Sequence, residues 1–184
     1  LAFEWRAGKE GEFHQVHTRL IGEYNFPNAL AAVTIGHFFG VEAEKIDKAL
    51  NEYEPRNNRS QLKKTADNTL IIDAYNANPT SMLAAIGNFR NMQAEKKMLI
   101  LGDMRELGKD SAEEHQRIVD YLEEYGFEDV ILVGELFAAT RHTYTTYPDA
   151  PALIAALQKH KPCRKTILIK GSNGIKLNTV VDYL

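Results

Sequence analysis

Beyond about residue 60 the chain repeats one succession: a short apolar run, a polar or glycine-rich loop, then an amphipathic helical pattern. The runs occupy 69–75, 97–101, 129–133 and 165–170. Each is apolar almost without interruption, which a strand needs when both its faces are covered. Strands alternating with helices predict an α/β fold, a mostly parallel sheet with helices on both faces. The helices are expected at 79–92 with Met82, Ile86 and Phe89 inward, at 111–125, at 135–142, from Asp149 and Pro151 through Leu157, and at 177–184. Ser111 and Glu114 have the spacing of a capping box, and Gly126 suits the left-handed end of that helix. Residues 61–64 and 69–75 form a hairpin turning at Ala66-Asp67-Asn68.

The first 60 residues have a different texture. Two strands, 1–5 and 13–21, are joined around Gly8-Lys9-Glu10-Gly11, an antiparallel pair by its turn chemistry. His14 and His17 are three apart and so fall on opposite faces of a strand, which argues against a shared metal. A helix opens after Gly22 and runs to about Phe39, with Ala32, Ile35 and Phe39 at helical spacing; Ala29, Ala31 and Ala32 would allow close packing. A second helix, 42–53, carries Ile46, Leu50 and Tyr53 on one face. Residues 54–60 are polar, lack periodicity and contain a proline, so a linker is expected, with a domain boundary near Asn58 and a hinge near Asn57. The expected domains are 1–58 and 59–184. Leu1, Phe3 and Trp5 alternate with polar residues as in a strand already under way, the pattern of a piece from a longer protein.

Totals limit the partners. Of 184 residues, 44% are hydrophobic and 26% charged, as in globular proteins. The net charge of −3, without a Lys/Arg cluster, gives no basic surface for nucleic acid. Cys163 is the single cysteine, expected as a loop thiol, so no intrachain disulfide can form. No apolar run approaches the roughly 20 residues of a membrane helix. The sequence contains no Gly-x-x-x-x-Gly-Lys-Ser/Thr, Gly-x-Gly-x-x-Gly or Gly-x-Ser-x-Gly motif and no zinc spacing.

The candidate site is the loop after the first parallel strand: Leu70-Ile71-Ile72-Asp73-Ala74-Tyr75-Asn76-Ala77-Asn78-Pro79-Thr80-Ser81-Met82. Asn78 is placed as N-cap and Pro79 at the first helical position. A turn and a cap would account for some of these polar groups, but their density exceeds what a cap needs. In a parallel sheet this loop shares one rim with 102–108, Gly134-Glu135 and 171–174, where open α/β sheets bind ligands. Lys170-Gly171-Ser172 offers a cation and N–H groups suited to an anion. Asp103 and Glu106 are expected in a solvated loop, and His115 on a helix surface; His37, His142 and His160 give no argument for chemistry. The residues by themselves indicate a ligand-binding α/β domain with an appended fragment.

A resemblance extends this. Asp73-Ala74-Tyr75-Asn76-Ala77-Asn78-Pro79-x-Ser81-Met82, Leu101-Gly102-Asp103-Met104-x-Glu106-Leu107-Gly108 and the later Ser111 and His115 resemble the carboxyl-terminal domain of a Mur ligase, of the type that adds D-alanyl-D-alanine. Gly22-x-x-Asn25-x-x-Asn28-x-x-Ala31-Ala32 is similar to a signature near the end of that family's central ATPase domain, and Lys170-Gly171-Ser172 to its last-strand motif. The resemblance implies the tail of the ATPase domain followed by a Rossmann-like domain. It implies ATP and Mg²⁺ as cofactors, with most magnesium ligands outside this chain. UDP-MurNAc-tripeptide and D-Ala-D-Ala would be the substrates, joined through an acyl phosphate in the cytoplasm by a monomer. Position by position, it implies nucleotide contacts at Asn25, Asn28, Arg59 and Asp73, the last on the ribose, and substrate contacts at Tyr75, Asn76, Asn78, Lys170, Gly171 and Ser172. Two positions depart from the pattern: Asn58 stands where glycine is common, and Asn173 where an arginine usually follows Lys-Gly-Ser. With the phosphate loop absent, the 184 residues alone are expected not to catalyse. The alternatives are a sister ligase acting on a diamino acid or folylpolyglutamate, or a non-catalytic nucleotide- or peptide-binding module.

Overall fold

The computed structural model describes residues 1–55 and 58–184, leaving aside the side chain of Tyr24. The chain divides into two compact units, Leu1–Arg56 and Asn57–Leu184. The expected hinge near Asn57 lies outside the described residues.

In the first unit, β1 (Ala2–Trp5) pairs antiparallel with β2 (His14–His17), Trp5 opposite His14 and Ala2 opposite His17. Both strands are shorter than expected. Trp5 Nε1 donates to Asp47 Oδ1 at 2.7 Å. The His14 ring stacks on Trp5 at 4.8 Å and its Nδ1 lies 2.9 Å from Asp47 Oδ2, so this histidine is part of the packing. His17 is exposed. Trp5, Val16, Val33 and Ile46 form the core, with Phe3, Ala43 and Leu50 against it. Helix α2 (Ala43–Glu52) thus buries Ile46 and partly Leu50 as its spacing predicts, whereas Tyr53 is half exposed. Helix α1 (Phe26–Phe38) corrects the sequence reading. Its buried residues are Ala29 and Val33, while Ile35 is 58% and Phe39 76% exposed. Apolar residues surround α1, so periodicity could not choose a face. The choice falls where Gly36, lacking a side chain, admits Ile46, whose Cδ1 would lie 3.1 Å from a Cβ there.

The second unit is a six-stranded sheet in the order β3 (Gln61–Lys64), β4 (Thr69–Asp73), β8 (Thr166–Lys170), β5 (Lys97–Gly102), β6 (Val130–Val133), β7 (Thr145–Tyr147). The β3–β4 hairpin is antiparallel and every other pairing is parallel. The pleat sends alternate residues to opposite faces. Leu70, Ile72, Met98, Ile100, Ile167 and Ile169 meet α6 (Ala150–Leu157) and the 3₁₀ segment Leu177–Tyr183. By the same alternation Ile71, Leu99, Leu101 and Leu168 face the side of α3 (Pro79–Asn91), α4 (Ser111–Glu124) and α5 (Glu135–Ala138). Met82, Ile86 and Phe89 of α3 are buried as expected, each contributing roughly 1.5–3 kcal/mol.

The helix starts explain themselves locally. Asn78 Oδ1 accepts from Ser81 N at 2.8 Å, Ser81 Oγ accepts from Asn78 N at 3.1 Å, and Pro79 occupies the first turn. Asp149 Oδ1 accepts from Ala152 N at 2.8 Å to start α6. Three expectations fail, and one strand is additional. The capping box at Ser111 and Glu114 is not formed, because the 3₁₀ turn Gly108–Asp110 runs straight into α4 and leaves Ser111 inside the helix. Helix α5 has four residues in place of eight. Strand β7 was not anticipated, since Thr145-Thr146-Tyr147 is an edge strand too short for a pattern. The last segment is 3₁₀ and not α-helical.

Candidate functional site

Parallel strands carry their carboxyl ends to one rim, and there the loops after β4, β5, β6 and β8 interlock. Asp73 ends β4 and Lys170 ends β8 as direct register partners. Lys170 is 1% exposed; its Nζ donates to Asp73 Oδ2 at 2.6 Å and to the Asn76 carbonyl at 3.2 Å. Asp73 Oδ1 also accepts from Ser60 N at 3.3 Å. A carboxylate has about four lone-pair sites, so Asp73, only partly buried, keeps capacity for hydroxyl donors. The cation expected to meet a ligand at Lys170 is instead committed inside the protein.

The loop after β5 is held at three successive amides. Asp103 N donates to the Val133 carbonyl at 3.0 Å, Met104 N to His115 Nε2 at 3.0 Å, and Arg105 N to Ser172 Oγ at 2.8 Å. Ser172 N donates in turn to the Asp103 carbonyl at 3.1 Å, so this amide of the Lys170-Gly171-Ser172 turn is not free. The Asp103 carboxylate accepts from Leu136 N at 3.1 Å and Phe137 N at 2.9 Å, which satisfies the first amides of α5. It occupies the space a side chain would need at Gly134, where a Cβ would come within 2.2 Å of Asp103 Cγ; Gly134 also has φ +123°. Gly171 allows the ends of β8 and β5 to meet, since a Cβ there would lie 3.0 Å from Gly102 Cα.

Two expectations are corrected here. Asp103 is 5% exposed and not solvated, because it is an internal helix cap. His115 is fully buried, edge-on to Phe137 at 4.7 Å. Its Nδ1 donates to the Ser111 carbonyl at 2.6 Å while Nε2 accepts from Met104, which assigns the Nδ1–H tautomer and makes the 3.9 Å approach to Asp103 Oδ1 a packing contact. The sequence held a signal for this burial: His115 shares the i, i+3, i+4, i+7 stripe with Ile118, Val119 and Leu122, all buried.

Outside this frame stand exposed groups. The Arg59 guanidinium lies 4.1 Å from the centre of the Tyr75 ring, and Tyr75 is 47% exposed. Asn58 and Ser60, on either side of Arg59, have φ +55° and +49°. Asparagine is among the residues that tolerate this region, which accounts for Asn58 where the resemblance leads one to expect glycine. Asn76 and Asn78 are exposed; Asn76 Oδ1 accepts from Ala77 N at 2.9 Å, and Asn78 is spent on its cap. Asn25 and Asn28 belong to the first unit. Asn25 is 8% exposed, donates to the Ile21 carbonyl at 2.8 Å and accepts from Asn28 Nδ2 at 3.3 Å, leaving Asn28 at the surface. Among the described residues no group of three or more His, Cys, Asp or Glu is placed to hold a metal, and no helix is long and apolar enough to cross a membrane. Chemically, the rim offers exposed cations and hydrogen-bonding groups on a rigid buried frame, which suits anionic ligands.

Residues 58–173 match the family described as Mur ligase, glutamate ligase domain. The UDP-N-acetylmuramoyl-tripeptide–D-alanyl-D-alanine ligase of Bacillus subtilis (strain 168) is 34% identical over 176 residues, which cover 90% of this chain and 38% of that protein. A crystal structure of MurF from Acinetobacter baumannii superposes with a TM-score of 0.77 at 28% identity, covering 98% of this chain and 41% of that one. MurF from Thermotoga maritima in complex with ADP superposes with a TM-score of 0.77 at 17% identity, a likeness of fold, over 100% of this chain and 45% of that one. The chain thus spans about two-fifths of the length of these relatives.

Proposed function

This chain belongs to the Mur ligase family, and on that premise we propose that it is the carboxyl-terminal part of an ATP-dependent ligase joining D-alanyl-D-alanine to UDP-MurNAc-tripeptide. Residues 1–58 are the end of the central ATPase domain and 59–184 the Rossmann-like domain that follows. The observation that carries the reading is that one sheet rim holds both an exposed guanidinium, Arg59 over the Tyr75 ring, and the carboxylate of Asp73, which keeps acceptor capacity beyond Ser60 N and Lys170 Nζ. Arg59 takes the ATP phosphates and Asp73 the ribose hydroxyls, while Asn28, supported by Asn25, takes adenine. Mg²⁺ accompanies the phosphates, which supply hard oxygen ligands. Tyr75, Asn76 and Asn78 border the incoming dipeptide; Lys170, Gly171 and Ser172 serve it indirectly, by fixing the loops.

In the reaction, a carboxylate oxygen of the tripeptide takes the γ-phosphoryl group and ADP leaves. The amine of the dipeptide then attacks the acyl carbon, phosphate departs with the bonding electrons, and the ammonium protons are released. A bare carboxylate repels nucleophiles and has no adequate leaving group, so activation is required. Positioning and charge stabilisation are this domain's contribution. The enzyme acts in the cytoplasm as a monomer.

The test uses the complete reading frame. Phosphate release is followed with ATP, Mg²⁺ and UDP-MurNAc-tripeptide, and D-Ala-D-Ala is added last. Release that requires the dipeptide and yields the pentapeptide establishes the activity. Release that responds instead to diaminopimelate or glutamate assigns a sister ligase. The 184-residue chain alone is expected to give no turnover.

A further inference from the structure

A second guanidinium stands at the rim. Arg105 is exposed, and its side chain has no hydrogen-bond or ion-pair partner among the described residues. Its position is nevertheless fixed. The amide of Arg105 is held by Ser172 Oγ and that of the preceding Met104 by buried His115. The guanidinium packs against Gly174, where a Cβ would lie 2.6 Å from Nη1 and 2.8 Å from Cζ. A cation carried on a buried frame, resting against a residue without a side chain and left without an acid, is placed for an anion from outside.

Resting on the ligase reading, we propose that Arg105 binds the terminal carboxylate of the attacking dipeptide. The amine end of that substrate must reach the acyl carbon, so its carboxylate lies at the opposite end and needs a cation. Of the cations described above, Lys170 is committed to Asp73, and Arg59 sits over Tyr75 on the β4 side. Asn173, which follows the Lys170-Gly171-Ser172 turn, carries no charge. Arg105 reaches that turn from the neighbouring loop. Its planar fork pairs with a carboxylate through two parallel hydrogen bonds.

The test is run on the complete ligase with D-Ala-D-Ala and its carboxyl-terminal amide. The unaltered enzyme prefers the acid. In Arg105→Ala the KM for D-Ala-D-Ala rises about 10- to 100-fold, the KM for ATP and the thermal midpoint stay the same, and the preference for acid over amide disappears. Arg105→Lys keeps part of the preference. Gly174→Ala, which displaces the guanidinium, moves the preference in the same direction. An Arg105→Ala enzyme that still prefers the acid overturns the inference, as does a KM change confined to the UDP-tripeptide. Failure of the ligase reading is distinct, because the unaltered enzyme would then show no dependence on D-Ala-D-Ala.

Discussion

The rim has an inner and an outer half, and they use polar residues in opposite ways. In the inner half, Asp103, His115, Lys170 and Ser172 are each at most 5% exposed and every one is engaged within the protein. In the outer half, Arg59, Tyr75, Asn76 and Arg105 are exposed, and neither guanidinium has an acidic partner among the described residues. The motif residues that look most like chemistry in the sequence divide between the halves. Buried ones hold loops at fixed separation, and exposed ones keep their polar groups at the surface. Burial decides between them because an unsatisfied polar group costs far more inside than at the surface.

Substitutions that break this comparison should act on stability from the inside and on turnover from the outside. The largest stability effect is expected for Gly134→Ala, which places a methyl group against Asp103 and a side chain at φ +123°. The cost is about 4 kcal/mol, read as a lower urea midpoint. Asp103→Ala leaves the amides of Leu136 and Phe137 without acceptors and should cost about 2–4 kcal/mol, with faster hydrogen exchange at those two residues. His115→Ala removes two hydrogen bonds and opens a cavity, at about 2–3 kcal/mol by the same unfolding measurement. Arg59→Ala is the opposite case: stability changes by less than about 1 kcal/mol, while on the ligase function proposed above ATP-dependent turnover of the full-length protein falls at least about tenfold. If Arg59→Ala unfolded the domain and His115→Ala spared it, the division into halves would be lost.

Much of the architecture was legible. The apolar runs of β4, β5, β6 and β8 could only be strands covered on both faces, and Asn78-Pro79 and Asp149-Ala150-Pro151 mark helix starts by chemistry that needs no tertiary context. The convergence of four loops followed from parallel strands alone. What sequence could not supply was the direction of each polar side chain. Asp103 and Glu106 stand three apart in one loop, yet one caps α5 from inside and the other lies at the surface, a distinction made by the bare backbone of Gly134. His115 was hidden by its polarity although its neighbours on the helix stripe are apolar. On α1 apolar residues on every side left the pattern without a preferred face.

The place of β8 in the sheet bears on how the protein is made. This strand lies between β4 and β5, yet it follows all its neighbours in the sequence. While a ribosome is still extending the chain, the hairpin β3–β4 and the set β5–β6–β7 are two half-sheets with open edges and no contact partner along them. Their union waits for residues 166–170 to emerge, about 100 residues after β4, a long-range closure of the kind that slows folding. A nascent chain stalled before β8 has left the exit tunnel should therefore bind chaperones and yield to protease, and it should lose both sensitivities once Lys170 reaches Asp73.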